Sequence, residues 1–189
     1  EGHVPEYVEP WIGRQASRHH IIVPGGDGAL DLGSTILRLR EATGVFIGGG
    51  HTPTYQRLYA TEPIRTVIRE RYQRGVPVAG LSAGSLLAPE MCIMDSEETG
   101  DTSLRIEPGL GLVHGIMVDV HFTERERLAR LLEVMAKTRT AVGLGIDGSV
   151  CAVLENDRLG QILGGPVYQV TMTDFDRRSH HIIQCDRGR

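Results

Sequence analysis

The sequence predicts an α/β protein, a three-layer sandwich whose mostly parallel central sheet is covered by helices on both faces. Three observations carry this. Short apolar runs alternate along the chain with longer stretches of helical period. Many of the 24 glycines fall where the short runs end, at points that need tight turns and close backbone approach. The 189 residues, 40% hydrophobic and 23% charged, suffice to bury one core and are too few for two comfortable ones.

The elements follow in order. His20 to Val23 reads as a strand ending in Pro24-Gly25-Gly26. Leu32 to Ala42 carries Ile36, Leu37 and Leu39 at helix-compatible spacing, and Gly44 stops it. Val45-Phe46-Ile47 is a buried strand running into Gly48-Gly49-Gly50. Thr52 before Pro53 reads as a helix N-cap with proline at the first helical position. Glu62 to Gln73 is the clearest helix, with Ile64, Val67, Ile68 and Tyr72 on one face. Val76 to Leu81 is a strand, and a helix follows Ser82. Met117 to Val120 is a strand, followed by a helix opened by Thr123 with Glu126 three residues on, a capping-box pattern. That helix has the stripe Leu128, Leu131, Leu132 and Met135. Ser149 to Leu154, Gly165 to Met172 and His181 to Gln184 are β-rich and suit antiparallel edge strands.

The global features exclude several classes. A net charge of -4 gives no electrostatic footprint for nucleic acid. No apolar run is long enough to span a membrane. Cys92, Cys151 and Cys185 are odd in number and scattered, unlike a disulfide framework; read as reduced thiols they point to the cytoplasm. The chain starts at Glu1 rather than Met, so a leader or further N-terminal segment is expected to be missing.

Sites in sheets of this kind form at the carboxyl ends of strands, and the unusual residues fall there. Gly80-Leu81-Ser82-Ala83-Gly84 fits G-x-S-x-G between a strand and a helix-compatible segment, the context of a nucleophile elbow. Its sharp turn exposes the Ser82 hydroxyl, and the Ala83 N–H faces a developing oxyanion. Gly48-Gly49-Gly50-His51 ends a neighbouring strand; an N–H of Gly49 or Gly50 there completes an oxyanion hole, unless the loop is a plain tight turn. Without G-K-[ST] it is no nucleotide P-loop.

A serine needs a base. Among eight histidines, His121 closes the strand Met117 to Val120 on the expected side, and His51 on the glycine loop is the second candidate. Arg125, Arg127 and Arg130 follow. Spacing favours a solvated helix face paired with Glu124, Glu126 and Glu133; the other reading is a cluster recognising substrate carboxylates.

These motifs, with Gly109-Leu110-Gly111-Leu112, Asp119-Val120-His121-Phe122 and Gly143-Leu144-Gly145-Ile146-Asp147, resemble in order cyanophycinase and its relatives in the dipeptidase E family of serine peptidases, over about Ile21 to Tyr168. The resemblance implies a class I glutamine-amidotransferase-like, flavodoxin-like fold. It implies Ser82 as nucleophile, His121 as general base, an oxyanion hole at Ala83, Gly49 and Gly50, and substrate contacts from His51, Arg125, Arg127 and Arg130. It implies no cofactor and no metal, a peptide substrate, and a homodimer. Cyanophycinases release β-aspartyl-arginine from a poly-aspartate backbone bearing arginine on each side-chain carboxyl. They carry an acid directly after the Gly-Ile-Asp segment to orient the histidine. Here that position is Gly148, so the role falls to Asp147 or to the acidic loop Asp95, Glu97, Glu98. Dipeptidase E relatives draw it from the loop after the elbow, which points to Glu97. Val120 stands where the family has glutamine. The whole chain, 1–189, is expected to be one such peptidase domain lacking the family's first strand. The alternatives are an aspartyl dipeptidase of the dipeptidase E kind, a catalytically weak binding module on the same fold, and an ordinary esterase.

Overall fold

The structure, a computed structural model, describes residues 8–10, 12, 18–94, 100 and 104–186. It is a mixed α/β fold. Its elements in chain order are α1 (Leu32–Glu41), β1 (Val45–Ile47), α2 (Thr52–Tyr59), α3 (Ile64–Gln73), β2 (Val78–Gly80), α4 (Ala83–Leu86), β3 (Met91–Met94), β4 (Arg105–Pro108), β5 (Ile116–Val120), α5 (Leu128–Thr138), β6 (Val142–Ile146), β7 (Cys151–Glu155), β8 (Arg158–Leu163), β9 (Val167–Asp174) and β10 (Ser179–Cys185).

Most of the expected elements form, with ends shifted by a few residues. Asp31 caps α1, accepting a hydrogen bond from the Ser34 N–H. His51 takes the cap position of α2, leaving Thr52 as its first residue and Pro53 in its first turn. Three expectations need correction. His20 to Val23 joins no ladder; it runs as coil into a turn in which Gly25 N–H donates to the Ala29 carbonyl. That coil is tied to α2 by the Tyr59 hydroxyl, which donates to the Ile22 carbonyl at 3.2 Å; burial first and Tyr55 second push its pKa up to about 12, so the donor keeps its proton. The capping box at Thr123 does not open a helix, because α5 begins only at Leu128. Finally, parallel pairing among the described strands is confined to β1–β2 and β5–β6.

The largest sheet runs β10-β9-β6-β5, with β6–β9 and β9–β10 antiparallel. β3–β4 and β7–β8 are separate antiparallel pairs. β5 is buried along its whole length, as its unbroken apolar run apart from Asp119 requires. α5 lays Leu131, Leu132, Val134 and Met135 onto β5 and β6. The strand β6 was hidden in the sequence by its own glycines. A Cβ at Gly143 would lie 2.6 Å from Met135 Sδ, and one at Gly145 would lie 2.3 Å from the Phe122 ring. The glycines are there so that a helix and an aromatic ring can close on the strand, and they remove the β-branched signature in doing so. The short α4 packs against both β2 and β5. It therefore sets the end of the first parallel pair against the end of the second. No helix among the described residues is long and apolar enough to cross a membrane.

Candidate active site

The turn between β2 and α4 is built by steric exclusion. A Cβ on Gly80 would stand 2.4 Å from the Gly84 carbonyl carbon, and one on Gly84 would stand 2.1 Å from the Ile47 carbonyl oxygen. Neither contact is possible for a side-chain carbon, so the chain can double back here only with glycine at both places. The Leu81 N–H donates to the Ile47 carbonyl at 2.9 Å and pins the turn to the end of β1. The Ser85 hydroxyl donates to the Gly80 carbonyl at 2.7 Å and closes it from the other side. Between them Ser82 is forced to φ 50°, ψ −113°, a backbone conformation that non-glycine residues avoid. The strain lifts the hydroxyl out of the chain path at the mouth of α4.

His121 meets it there. The Ser82 Oγ lies 3.1 Å from His121 Nε2. His121 also has positive φ, 52°, immediately after β5 ends. The following residue, Phe122, is 5% exposed, packs over Gly145 and stacks at a tilt on Tyr168 with centroids 5.6 Å apart. Phe122 thus anchors the backbone from which the imidazole projects.

Behind the histidine stands Glu124. Its Oε2 lies 2.8 Å from His121 Nδ1, and its Oε1 accepts the Gly148 N–H at 2.9 Å. Hydrogen bonding from His121, then from the Gly148 N–H, holds the Glu124 carboxyl below the usual glutamate range. The result is a continuous serine–histidine–carboxylate chain. Sequence reasoning put Glu124 on a solvated helix face. It missed the residue because the apparent capping box made Thr123 to Glu126 the first turn of a helix. Instead residues 121–127 form tight turns. The Arg125 N–H donates to the His121 carbonyl and the Arg127 N–H to the Phe122 carbonyl, with Glu126 at φ 51°. A carboxylate three residues past the histidine was the available signal.

Asp147 is not brought to the histidine. Its Oδ1 accepts the Thr123 N–H at 2.7 Å and its Oδ2 the Thr123 hydroxyl at 2.5 Å, so it clamps the turn that presents Glu124. Glu97, like Asp95 and Glu98, lies outside the described residues.

Arg130 is turned to a buried acid. Its Nε donates to Asp119 Oδ2 at 2.9 Å and its Nη2 to Asp119 Oδ1, with the two side chains 12% and 0% exposed. Burial pushes the Asp119 carboxyl up, and Arg130, the Val120 N–H and the charge of Arg127 oppose it. This pair ties α5 to β5, the strand that ends at His121. Arg125 is exposed and Arg127 half-buried at the turn. Val120 is a core residue.

On the glycine loop, the Tyr55 hydroxyl donates to the Gly49 carbonyl at 2.9 Å, and Gly50 leaves room for the Tyr55 ring, which a Cβ would approach to 2.9 Å. The exposed His51 ring is held to the Thr54 hydroxyl at 2.9 Å. The loop follows β1, directly alongside the strand that delivers Ser82. Ala83, the first residue of α4, is buried beside it.

The chemistry of such a chain is acyl transfer: a hydroxyl next to an imidazole whose far nitrogen is fixed by a carboxylate. The chain is similar to known peptidases. The model of peptidase family S51 matches residues 31–162. A cyanophycinase of Trichormus variabilis is 35% identical over 146 residues, covering 75% of this chain and 48% of that protein. A cyanophycinase of Synechococcus elongatus is 31% identical over 148 residues, covering 76% of this chain and 46% of that protein. The chain thus spans about half the length of the curated relatives it matches. The crystal structure of a peptidase from an acI-B1 Actinobacterium shares the fold, with a TM-score of 0.57 and 18% identity over 95% of this chain and 76% of that one.

Proposed function

Because the chain belongs to peptidase family S51, we propose that it works as a serine-type peptidase on aspartate-containing peptides, with cyanophycin as the substrate. The observation that carries the proposal is the chain of contacts from Ser82 Oγ through His121 to Glu124, 3.1 Å and 2.8 Å long.

In this reading His121 Nε2 takes the Ser82 proton as Oγ attacks the peptide carbonyl. Glu124 fixes the tautomer that leaves Nε2 free to accept, and it balances the imidazolium charge that forms. The oxyanion meets N–H groups of Ala83 and of the Gly49-Gly50 loop. His121 then gives its proton to the leaving amine, and water releases the acyl group by the reverse path. Arg125 and Arg127 serve as the carboxylate-binding groups of this proposal, since guanidinium forks match carboxylates. Support for cyanophycin comes from the relatives that bear the name cyanophycinase. The flavodoxin-like layering belongs to the same proposal and is supported by two parallel strand pairs bridged by α4.

The test is incubation with cyanophycin and detection of β-aspartyl-arginine by mass, with Ser82→Ala as control. Dipeptide release that disappears in the variant is the expected result. Release that persists in the variant would remove Ser82 from the chemistry.

A further inference from the structure

We propose that Glu124 is the positioning acid of this site and fills the space over position 148, so that an acid supplied from 148 would stand in for Glu124 at the histidine. The proposal rests on the serine-peptidase reading above and names the residue that orients its base.

The slot is defined by two contacts and one close approach. Glu124 Oε2 meets His121 Nδ1, and Oε1 meets the Gly148 N–H. A Cβ built on Gly148 would fall 2.8 Å from Oε1, 3.8 Å from Cδ and 3.9 Å from Oε2. The carboxylate therefore sits directly over the α-carbon of residue 148, where a side chain would otherwise begin. A side chain at 148 must shift Oε1, the free end of Glu124, and so contests its bond to the Gly148 N–H, while Oε2 on the histidine stays at ordinary contact distance. Gly148 does not have positive φ, so the backbone itself would accept a side chain. What a side chain there would meet is the Glu124 carboxylate.

The reverse holds as well. With residue 124 shortened, a glutamate at 148 starts within 3 Å of where one carboxylate oxygen now lies and has the reach to replace it. No other described carboxylate competes: Asp147 is spent on Thr123 and Asp119 on Arg130. Glu124 acts only through His121; it is delivered by the turn that Asp147 clamps.

The experiment compares wild type with Glu124→Ala, Gly148→Ala, Glu124→Ala/Gly148→Ala and Glu124→Ala/Gly148→Glu. Two readouts are taken: kcat and KM on cyanophycin, and the His121 Nδ1–H proton resonance by NMR. Glu124→Ala is expected to lower kcat by about 10²–10⁴-fold with little change in KM, and to abolish the downfield Nδ1–H signal. Gly148→Ala is expected to lower kcat by roughly two- to threefold in the wild-type background, because Oε1 must shift, and not at all in the Glu124→Ala background, since contacting residues are non-additive. Glu124→Ala/Gly148→Glu is expected to recover both the signal and at least about tenfold in kcat. A Glu124→Ala protein that keeps its signal and its kcat overturns the proposal. So does a folded Glu124→Ala/Gly148→Glu protein that regains neither. If wild type turns over no peptide, the serine-peptidase reading fails, and the NMR signal alone still decides whether the slot exists.

Discussion

Replacing Arg130 by methionine separates a structural role from a substrate-binding one. Arg130 meets Asp119 through two hydrogen bonds, and the two side chains are 12% and 0% exposed. Removing the guanidinium leaves a carboxylate in the core without its partner. Breaking a buried pair in this way costs about 3–5 kcal/mol. Burial already pushes the Asp119 carboxyl up, so protonation caps the loss and places it near the lower figure. For a domain of this size a loss of about 3 kcal/mol lowers Tm by roughly 6–12 °C. The pH dependence has a definite sign. Without Arg130 the folded-state pKa of Asp119 lies above its unfolded value, so the folded state binds more protons between the two, and stability rises as pH falls through that window. Denaturant unfolding of Arg130→Met, repeated as pH is lowered, reads both effects. Asp119→Leu/Arg130→Met should recover most of the loss, because a packed apolar pair can replace a buried ionic one. A variant that unfolds within about 1 kcal/mol of wild type while its KM rises would refute this account and restore Arg130 to the substrate site.

Two further outcomes follow from the geometry. Gly84→Ala places a Cβ 2.1 Å from the Ile47 carbonyl oxygen, and the backbone shift it demands should cost about 1–3 kcal/mol or more and displace Ser82, read as a fall in both denaturation midpoint and kcat. The Glu124 carboxyl is held below the usual range chiefly by His121, so its pairing is complete above the ordinary glutamate pKa and is lost only as pH falls through the depressed value; in His121→Ala its NMR titration should move back up toward the ordinary range, and an unmoved titration would detach it from the histidine.

How much of this was legible in the sequence depends on how local the determining forces are. The elbow was, because glycine at 80 and 84 is demanded by contacts within a five-residue turn and by one neighbouring strand. The placement of His121 at a strand end was legible for a similar reason: an apolar run names the strand, and the strand names its end. β6 was not, since Gly143 and Gly145 answer to Met135 and Phe122, residues brought by the fold and not by the local pattern. Arg130 was misread because helical spacing alone turned it away from the apolar stripe, whereas a buried acid on β5 draws it inward. Glu124 was hidden by a capping pattern whose helix starts later. Its partner Gly148 was noticed as a missing acid, but the space so created has meaning only once both segments are in place.

Every step proposed above depends on His121 activating Ser82 as a nucleophile. Treating the protein with a reactive organophosphonate and mapping the adduct by mass tests it most directly. One phosphonyl group on Ser82, formed in wild type and lost in His121→Ala, is the expected result. No adduct on Ser82 in the folded protein, or an adduct formed equally well without His121, would contradict it.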